Sequence, residues 1–294
     1  MKRYTKRTID RRMINEAARH HDFHTVKSLG QNFIIDEGVI EAIAEGAAIG
    51  QSDLVIEIGP GMGVLTAAAA ARAGRIVAVE IDQRLLPILE QTLAGFDNVR
   101  VVCQDILKTD LKSMIREEQA ADPSLAGVKI IGNLPYYITT PIIMKLLTEE
   151  LPLESITIMM QREVAERIRS GAGSRTYGVL SLSVQYYCEV ESVVRVPKEA
   201  FRPRPKVDSE VLRLRLRREK PVQVRDEATF FGCIRAGFRA RRKTLANCLT
   251  GFCGASKEEA SAIMISVGID PGRRAETLDM EEFARLADAF EKRK

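Results

Sequence analysis

A chain of 294 residues with 45% hydrophobic and 29% charged residues can hold one large domain plus a smaller one, and has the balance of an ordinary soluble globular protein. No apolar run approaches the ~20 residues that span a bilayer. Residues 1–27 hold no apolar segment of a secretory signal, and Asp10, Glu16 and Asp22 interrupt the basic run that a transit peptide would need. The net charge of +4 is unevenly placed. Residues 1–27, 195–220 and 235–243 carry +5, +6 and +5, which leaves −12 on the rest. Taken singly each segment could be a solvated face; together they are the footprint of a polyanion partner. Cys103, Cys188, Cys233, Cys248 and Cys253 form no C-x-x-C pair, so reduced structural thiols in a cytoplasmic protein are expected, and no zinc site. The only histidines are His20, His21 and His24, an exposed or RNA-touching stretch rather than a metal site.

In chain order, residues 12–19 have the pattern of a short basic helix. Residues 36–49 predict an amphipathic helix, with Asp36 as N-cap and Val39, Ile40, Ile43 and Ala47 on one face. Residues 54–58 are an apolar strand, Gly59-Pro60-Gly61-Met62-Gly63 a glycine-rich turn, and the alanine-rich 64–72 a helix. A second strand over 75–79 ends in Glu80-Ile81-Asp82, and 83–93 is helical. A third strand over 99–103 ends in Gln104-Asp105 and precedes a polar helix near 111–119. The fourth, Val128-Lys129-Ile130-Ile131-Gly132, ends in Asn133-Leu134-Pro135-Tyr136. A helix follows over 141–150, with Pro141 in its first turn, then a fifth strand over 155–160.

Strands alternating with helices at this spacing predict a doubly wound parallel sheet, an α/β fold. Helices over 162–169 and 179–187 come next, then an antiparallel strand pair at 190–196 and 210–217. Past Glu219-Lys220-Pro221 the periodicity is helical throughout. The expected division is a basic extension over 1–26, an α/β domain over 27–218 and a smaller all-helical domain over 219–294.

Ligands of such sheets bind outside the carboxyl ends of the strands. Gly59 and Gly61 permit close backbone approach, but Val64 and Thr66 stand where a dinucleotide fingerprint needs its third glycine. Glu80 is placed to accept from both ribose hydroxyls, unless it is a surface carboxylate. Asp105 is placed to accept from an adenine amino group, unless it caps a helix. Together these strand ends fit S-adenosylmethionine, which has a ribose, an adenine and a sulfonium, and no phosphate. The run Asn133-x-Pro-Tyr suits an exocyclic adenine amine, whose lone pair is delocalised into the ring. The Asn133 side-chain oxygen and the Pro135 carbonyl would each accept one amine hydrogen, and Tyr136 would offer a stacking face. Alone, the run is equally compatible with an ordinary strand-end turn.

Four motifs in order, Leu29-Gly30-Gln31-Asn32-Phe33, Glu57-Ile58-Gly59-Pro60-Gly61-Met62-Gly63, Asn133-Leu134-Pro135-Tyr136-Tyr137 and the run from Phe201-Arg202-Pro203-Arg204-Pro205-Lys206 to Ser209, resemble the rRNA adenine N6-dimethyltransferase family. The likeness is to its KsgA type, which acts on small-subunit rRNA, and it covers about residues 25–290. It implies a Rossmann-like class I methyltransferase domain using S-adenosylmethionine. It also implies dimethylation of two adjacent adenosines in a hairpin loop near the 3′ end of 16S rRNA, with a role in small-subunit biogenesis. It places Asn32 and Ile34 on the cofactor, Ile34 standing where the family usually has Leu. Gly59, Glu80 and Asp105 surround the cofactor, and Asn133 sits where cofactor and target amine meet.

Catalysis would then come from positioning and hydrogen bonding rather than from a strong base. The target base would be flipped out, with Tyr136 on one face and Phe201 on the other, although Phe201 could equally be core. Arg202, Arg204 and Lys206 would hold phosphates beside the pocket, and Arg239, Arg241 and Arg242 in the helical domain would touch rRNA. The expected partner is an immature small subunit, with no metal and no membrane, and the protein is expected to be a monomer. Three alternatives remain: an Erm-type large-subunit methylase, an assembly factor whose binding role outweighs catalysis, and a small-molecule or DNA amino-methyltransferase.

Overall fold

The computed structural model describes Glu16, His20, His21 and residues 30–292. The basic helix expected over 12–19, and the N-terminal extension with it, lie outside the described residues apart from those three. The chain divides into two compact units, one of Met1–Ala165 with Val190–Leu216 and one of Glu166–Glu189 with Arg217–Lys294.

The first unit is built on strands. A short β1 (Phe33–Ile34) is followed by the helix Glu37–Gly46, whose N-cap Asp36 accepts from the Val39 amide at 3.1 Å. Its apolar face, Val39, Ile40 and Ile43, is buried, as is Ala47 just beyond it. Then come β2 (Asp53–Ile58), β3 (Arg75–Glu80), β4 (Val99–Cys103), β5 (Gly127–Asn133) and β6 (Ser155–Gln161), alternating with helices. β7 (Cys188–Val196), a two-residue β8 (Phe201–Arg202) and β9 (Ser209–Leu216) complete the set.

The main sheet runs in the order β4-β3-β2-β5-β6-β9-β7, with neighbouring strands parallel from β4 through β6. Every residue of β2 is buried, as expected of a parallel strand covered on both faces. The late strand pair falls at the edge, where β9 packs antiparallel on β6 and β7 lies outside β9. The chain leaves β2 toward β3 and β4, then returns to place β5 on the other side of β2. That reversal is the switch point at which such sheets bind ligands.

Register brings the strand ends level. Ile58 pairs with Val79 on one side and Gly132 on the other, so Gly59, Glu80 and Asn133 emerge together. Glu80 pairs with Cys103, which puts Asp105 two residues beyond the same rim. The opposite end of the sheet is tied by a buried cation. Lys129 Nζ donates to Asp53 Oδ2 and to the Ala48 carbonyl, both at 2.6 Å.

The second unit is mostly helical. Glu227–Gly237, Leu245–Leu249, Lys257–Ser266 and Met280–Glu291 surround a core of Phe230, Ile234, Leu245, Met264, Phe283 and Phe290. A division at residue 219 misses part of it, because Leu182 and Tyr186 on the helix Val179–Tyr187 belong to the same core. The Tyr186 hydroxyl donates to Glu227 Oε1 at 2.8 Å. A pattern change along the chain cannot reveal a segment that returns to a core built mainly by residues further on.

Candidate active site

A cavity of about 1060 Å³ opens at the switch point of the first unit. It is lined by the turn after β2, the ends of β3, β4 and β5, residues 30–35 and the segment around β8. That volume is at the upper end of small-ligand pockets, enough for a nucleoside and a second flat group.

The glycine-rich turn forms its first wall. Gly59 and Gly61 sit at φ +69° and +58°, a left-handed backbone that side chains disfavour. A methyl group at Gly59 would meet nothing within 4 Å, so there the backbone faces open cavity. At Gly61 it would stand 3.0 Å from the Phe33 ring.

Glu80, 5% exposed, is gripped by three backbone amides. Oε1 accepts from Ile81 and Asp82 at 2.9 and 2.8 Å, and Oε2 from Gly61 at 3.3 Å. Any hydroxyl donor it receives would therefore go to Oε2, which accepts from one amide where Oε1 accepts from two. Burial raises its pKa above the usual carboxylate range, against the pull of those three amides. Asp105 Oδ1 accepts from the Leu107 amide at 3.0 Å in the turn after β4; the helix that follows is capped by Asp110, and Asp105 lines the cavity.

Asn133 ends β5. Its Nδ2 donates to the Asn32 carbonyl at 2.9 Å, and since a carbonyl only accepts, that contact fixes which end of the amide is which. Oδ1 is left as an acceptor at the cavity. Asn32 in turn donates to the Gly30 carbonyl at 3.0 Å, and Gln31 donates to Asp82 at 2.7 Å, so residues 30–32 are tied to the ends of both β3 and β5. Ile34 is tied in by pairing with Phe201 across β1 and β8.

The Pro135 carbonyl requires correction. It accepts from the Ile138 amide and from Thr139 Oγ1, each at 3.1 Å, so both its lone pairs are engaged and it is not open to an amine. The reason is the helix Thr139–Thr148, which starts two residues ahead of the expected position and draws that carbonyl into its first turn. The Leu134 carbonyl has no described donor, and Leu134 is among the residues that line the cavity. Tyr136 is half-buried, its hydroxyl 2.8 Å from Ser209 Oγ. Phe201 is 2% exposed and packs in the core with Ile34 and Val196, yet it also lines the cavity, so core and wall are one role here.

Arg202, Arg204 and Lys206 are exposed. Arg202 and Arg204 stand on the cavity rim, and Arg204 is paired with Glu199. Lys206 is not among the lining residues. In the second unit Arg239 and Arg241 are exposed and donate to the Cys248 and Tyr177 carbonyls at 3.3 Å, while Arg242 is exposed beside them.

The sequence missed Glu57. It lies inside β2, is 1% exposed and lines the cavity floor, and its Oε2 has no hydrogen-bond partner. Burial pushes its pKa up to about 8, opposed by the Thr66 hydroxyl and aided by the Glu80 charge. Its signal was present: a carboxylate inside an otherwise apolar strand.

The ribosomal RNA adenine dimethylase family model matches residues 22–292. This chain belongs to that family. It is 50% identical over 278 residues to the Ribosomal RNA small subunit methyltransferase A of Geobacillus thermodenitrificans (strain NG80-2), covering 94% of each chain. The Bacillus mycoides (strain KBAB4) protein of the same description is 50% identical over 277 residues, 92% of each. Among solved structures, a dimethyladenosine transferase from Plasmodium falciparum superposes with a TM-score of 0.73 over 86% of this chain and 95% of that one, at 24% identity. The 23S rRNA methyltransferase ErmE superposes with 0.64 over 88% and 99%, at 28% identity. This rRNA adenine dimethylase thus has the Rossmann-like methyltransferase fold of its structural neighbours.

Proposed function

We propose that the cavity binds S-adenosylmethionine together with a flipped-out adenosine of small-subunit rRNA, whose N6 is methylated twice. The observation that carries this reading is the Asn133 amide, locked by Asn32 so that Oδ1 accepts at the switch point. The residues present fit the cofactor. Glu80 and Asp105 supply acceptors for hydroxyl and amino donors and suit a ligand carrying a sulfonium, and Glu57, kept neutral by burial, adds a polar group to the same lining. The arginines among the lining residues, Arg202 and Arg204, belong to the segment around β8, while the strand ends contribute acidic and amide groups. Ile81, 55% exposed, and Ile106 line the same end and offer apolar surface to an adenine ring.

When bound, the cofactor supplies an electrophilic methyl group on its sulfonium. The chain's own work is to hold the amine. Asn133 Oδ1 and the Leu134 carbonyl each accept one N6 hydrogen, which localises the lone pair out of the ring plane. Tyr136, its hydroxyl held by Ser209, and Phe201 stack on the base, a contribution of about 1–3 kcal/mol per base. As positive charge develops on the nitrogen, the same two acceptors stabilise it, and no general base is required. After the first transfer the cationic amine gives one proton to water, one N–H remains for one acceptor, and the second transfer uses half the grip of the first. Relatives at 50% identity named for the small subunit, against 28% for ErmE, favour the small-subunit substrate over the large. A role in subunit maturation accompanies this reading.

The test is methyl transfer from labelled S-adenosylmethionine to ribosomal subunits lacking the modification, followed by nucleoside analysis. Dimethyladenosine on the small subunit alone is expected, and N133A should lose turnover by about 10²–10³-fold while still binding cofactor. Label on the large subunit, or full activity in N133A, would overturn the assignment.

A further inference from the structure

Tyr137 has no part in the chemistry above, yet its surroundings are those of a contact residue. It is 63% exposed, the only aromatic among the exposed large hydrophobic residues of the described chain. It lies next to Tyr136 on the lining of the same cavity. One side of its ring faces Gly30, with room for a methyl group between them. Gly30 stands at φ +61°, and a methyl group there would lie 3.4 Å from Tyr137 Cδ1 and Cε1 and from Pro135 Cβ. Gly30 is itself held through its carbonyl by Asn32. The ring thus stands beside a tied segment while most of the residue's surface faces solvent. The Tyr136 hydroxyl is tethered to Ser209, whereas that of Tyr137 has no hydrogen-bond partner among the described residues.

An exposed aromatic surface on the lining of a site that takes an unstacked base has an evident use. Flipping one base out of an RNA loop leaves its neighbour without a stacking partner, and an aromatic face restores that stacking at small entropic cost. We propose that Tyr137 is a stacking platform for the unpaired nucleobase next to the target adenosine, so that it sets RNA engagement and not cofactor binding. The inference rests on the small-subunit reading of the site. Arg202 and Arg204 on the same lining are placed for the phosphates that join the two nucleotides.

The experiment uses the full chain and small subunits lacking the modification, with Y137A, Y137L and Y137F compared with wild type. Wild-type transfer establishes the underlying reading; its absence would defeat that reading without reference to Tyr137. Given wild-type activity, Y137A and Y137L should each lose about 5- to 150-fold in kcat/KM, the span that base–aromatic stacking provides. Y137F should stay within about 2-fold, since the ring and not the hydroxyl makes the contact. Cofactor affinity, measured by calorimetry without RNA, should be unchanged in all three. The proposal is overturned if Y137L works as well as wild type, which would mean simple apolar packing. It is equally overturned if Y137F falls with Y137A, or if cofactor affinity falls in step with turnover.

Discussion

Glu57 makes the stability of this protein depend on pH in a way that one isosteric substitution should remove. Its carboxyl is 1% exposed with an unpartnered Oε2, and its pKa rises from 4.5 to about 8 on folding. Between those values the folded chain keeps a proton that the unfolded chain has lost, so stability falls as pH rises through the window from 4.5 to 8. The slope from this group approaches about 1 kcal/mol per pH unit, or about 2–3 kcal/mol between pH 5 and 7. Because the side chain is buried, solvent screening does little to reduce it. E57Q has nearly the same shape and cannot ionise, so it lacks the slope. Urea unfolding followed by far-UV circular dichroism suits a chain without tryptophan. Measured at pH 5, 6 and 7, E57Q should gain steadily on the wild type, by about 1 kcal/mol per unit, with groups that do not interact with Glu57 cancelling in the difference. A difference that stays constant from pH 5 to 7 would refute the buried neutral acid.

Further outcomes are expected elsewhere in the molecule. E80Q exchanges one oxygen held by backbone amides for a donor, and S-adenosylmethionine affinity measured by calorimetry should fall by about 10- to 150-fold. K129M leaves Asp53 buried without its cation and should cost about 3–5 kcal/mol in urea unfolding, with part recovered in K129M/D53N. Replacing Arg239, Arg241 and Arg242 with glutamine should flatten the salt dependence of small-subunit binding. The slope of log affinity against log salt should drop by about 2–3, since each phosphate contact contributes about 0.7–0.9.

The sheet was legible because its strands are apolar runs closed by glycine or polar residues, and because β2 through β6 alternate with helices. The positions of Gly59, Glu80, Asp105 and Asn133 at strand ends could be read for the same reason. What linked them could not. Asn133 and Asn32 are 101 residues apart, and no local pattern announces that an amide at one strand end holds the backbone of an early segment. The Pro135 carbonyl was misread through a small boundary error: placing the helix start at Pro141 instead of Thr139 leaves that carbonyl free on paper. The membership of Glu166–Glu189 in the second unit is a tertiary fact of the same kind.

The amide of Asn133 joins these observations into one dependence. An asparagine at a strand end is useful to an amine only if its oxygen faces the site, and an unconstrained amide has two orientations of similar shape. Here the choice is made by Nδ2 donating to the Asn32 carbonyl. Asn32 is held in its turn by donating to Gly30, by Gln31 on Asp82, and by β1 pairing with β8. The segment of residues 30–34 that lines the cavity therefore also sets the direction of the acceptor proposed for the amine, Asn133 Oδ1. Q31A removes one of those ties without touching Asn133. It should lower kcat as well as cofactor affinity, because a loosened carbonyl at Asn32 lets the amide rotate. A Q31A variant whose loss lies wholly in cofactor affinity, with kcat at saturation equal to wild type, would show that Asn133 is oriented by something other than this segment.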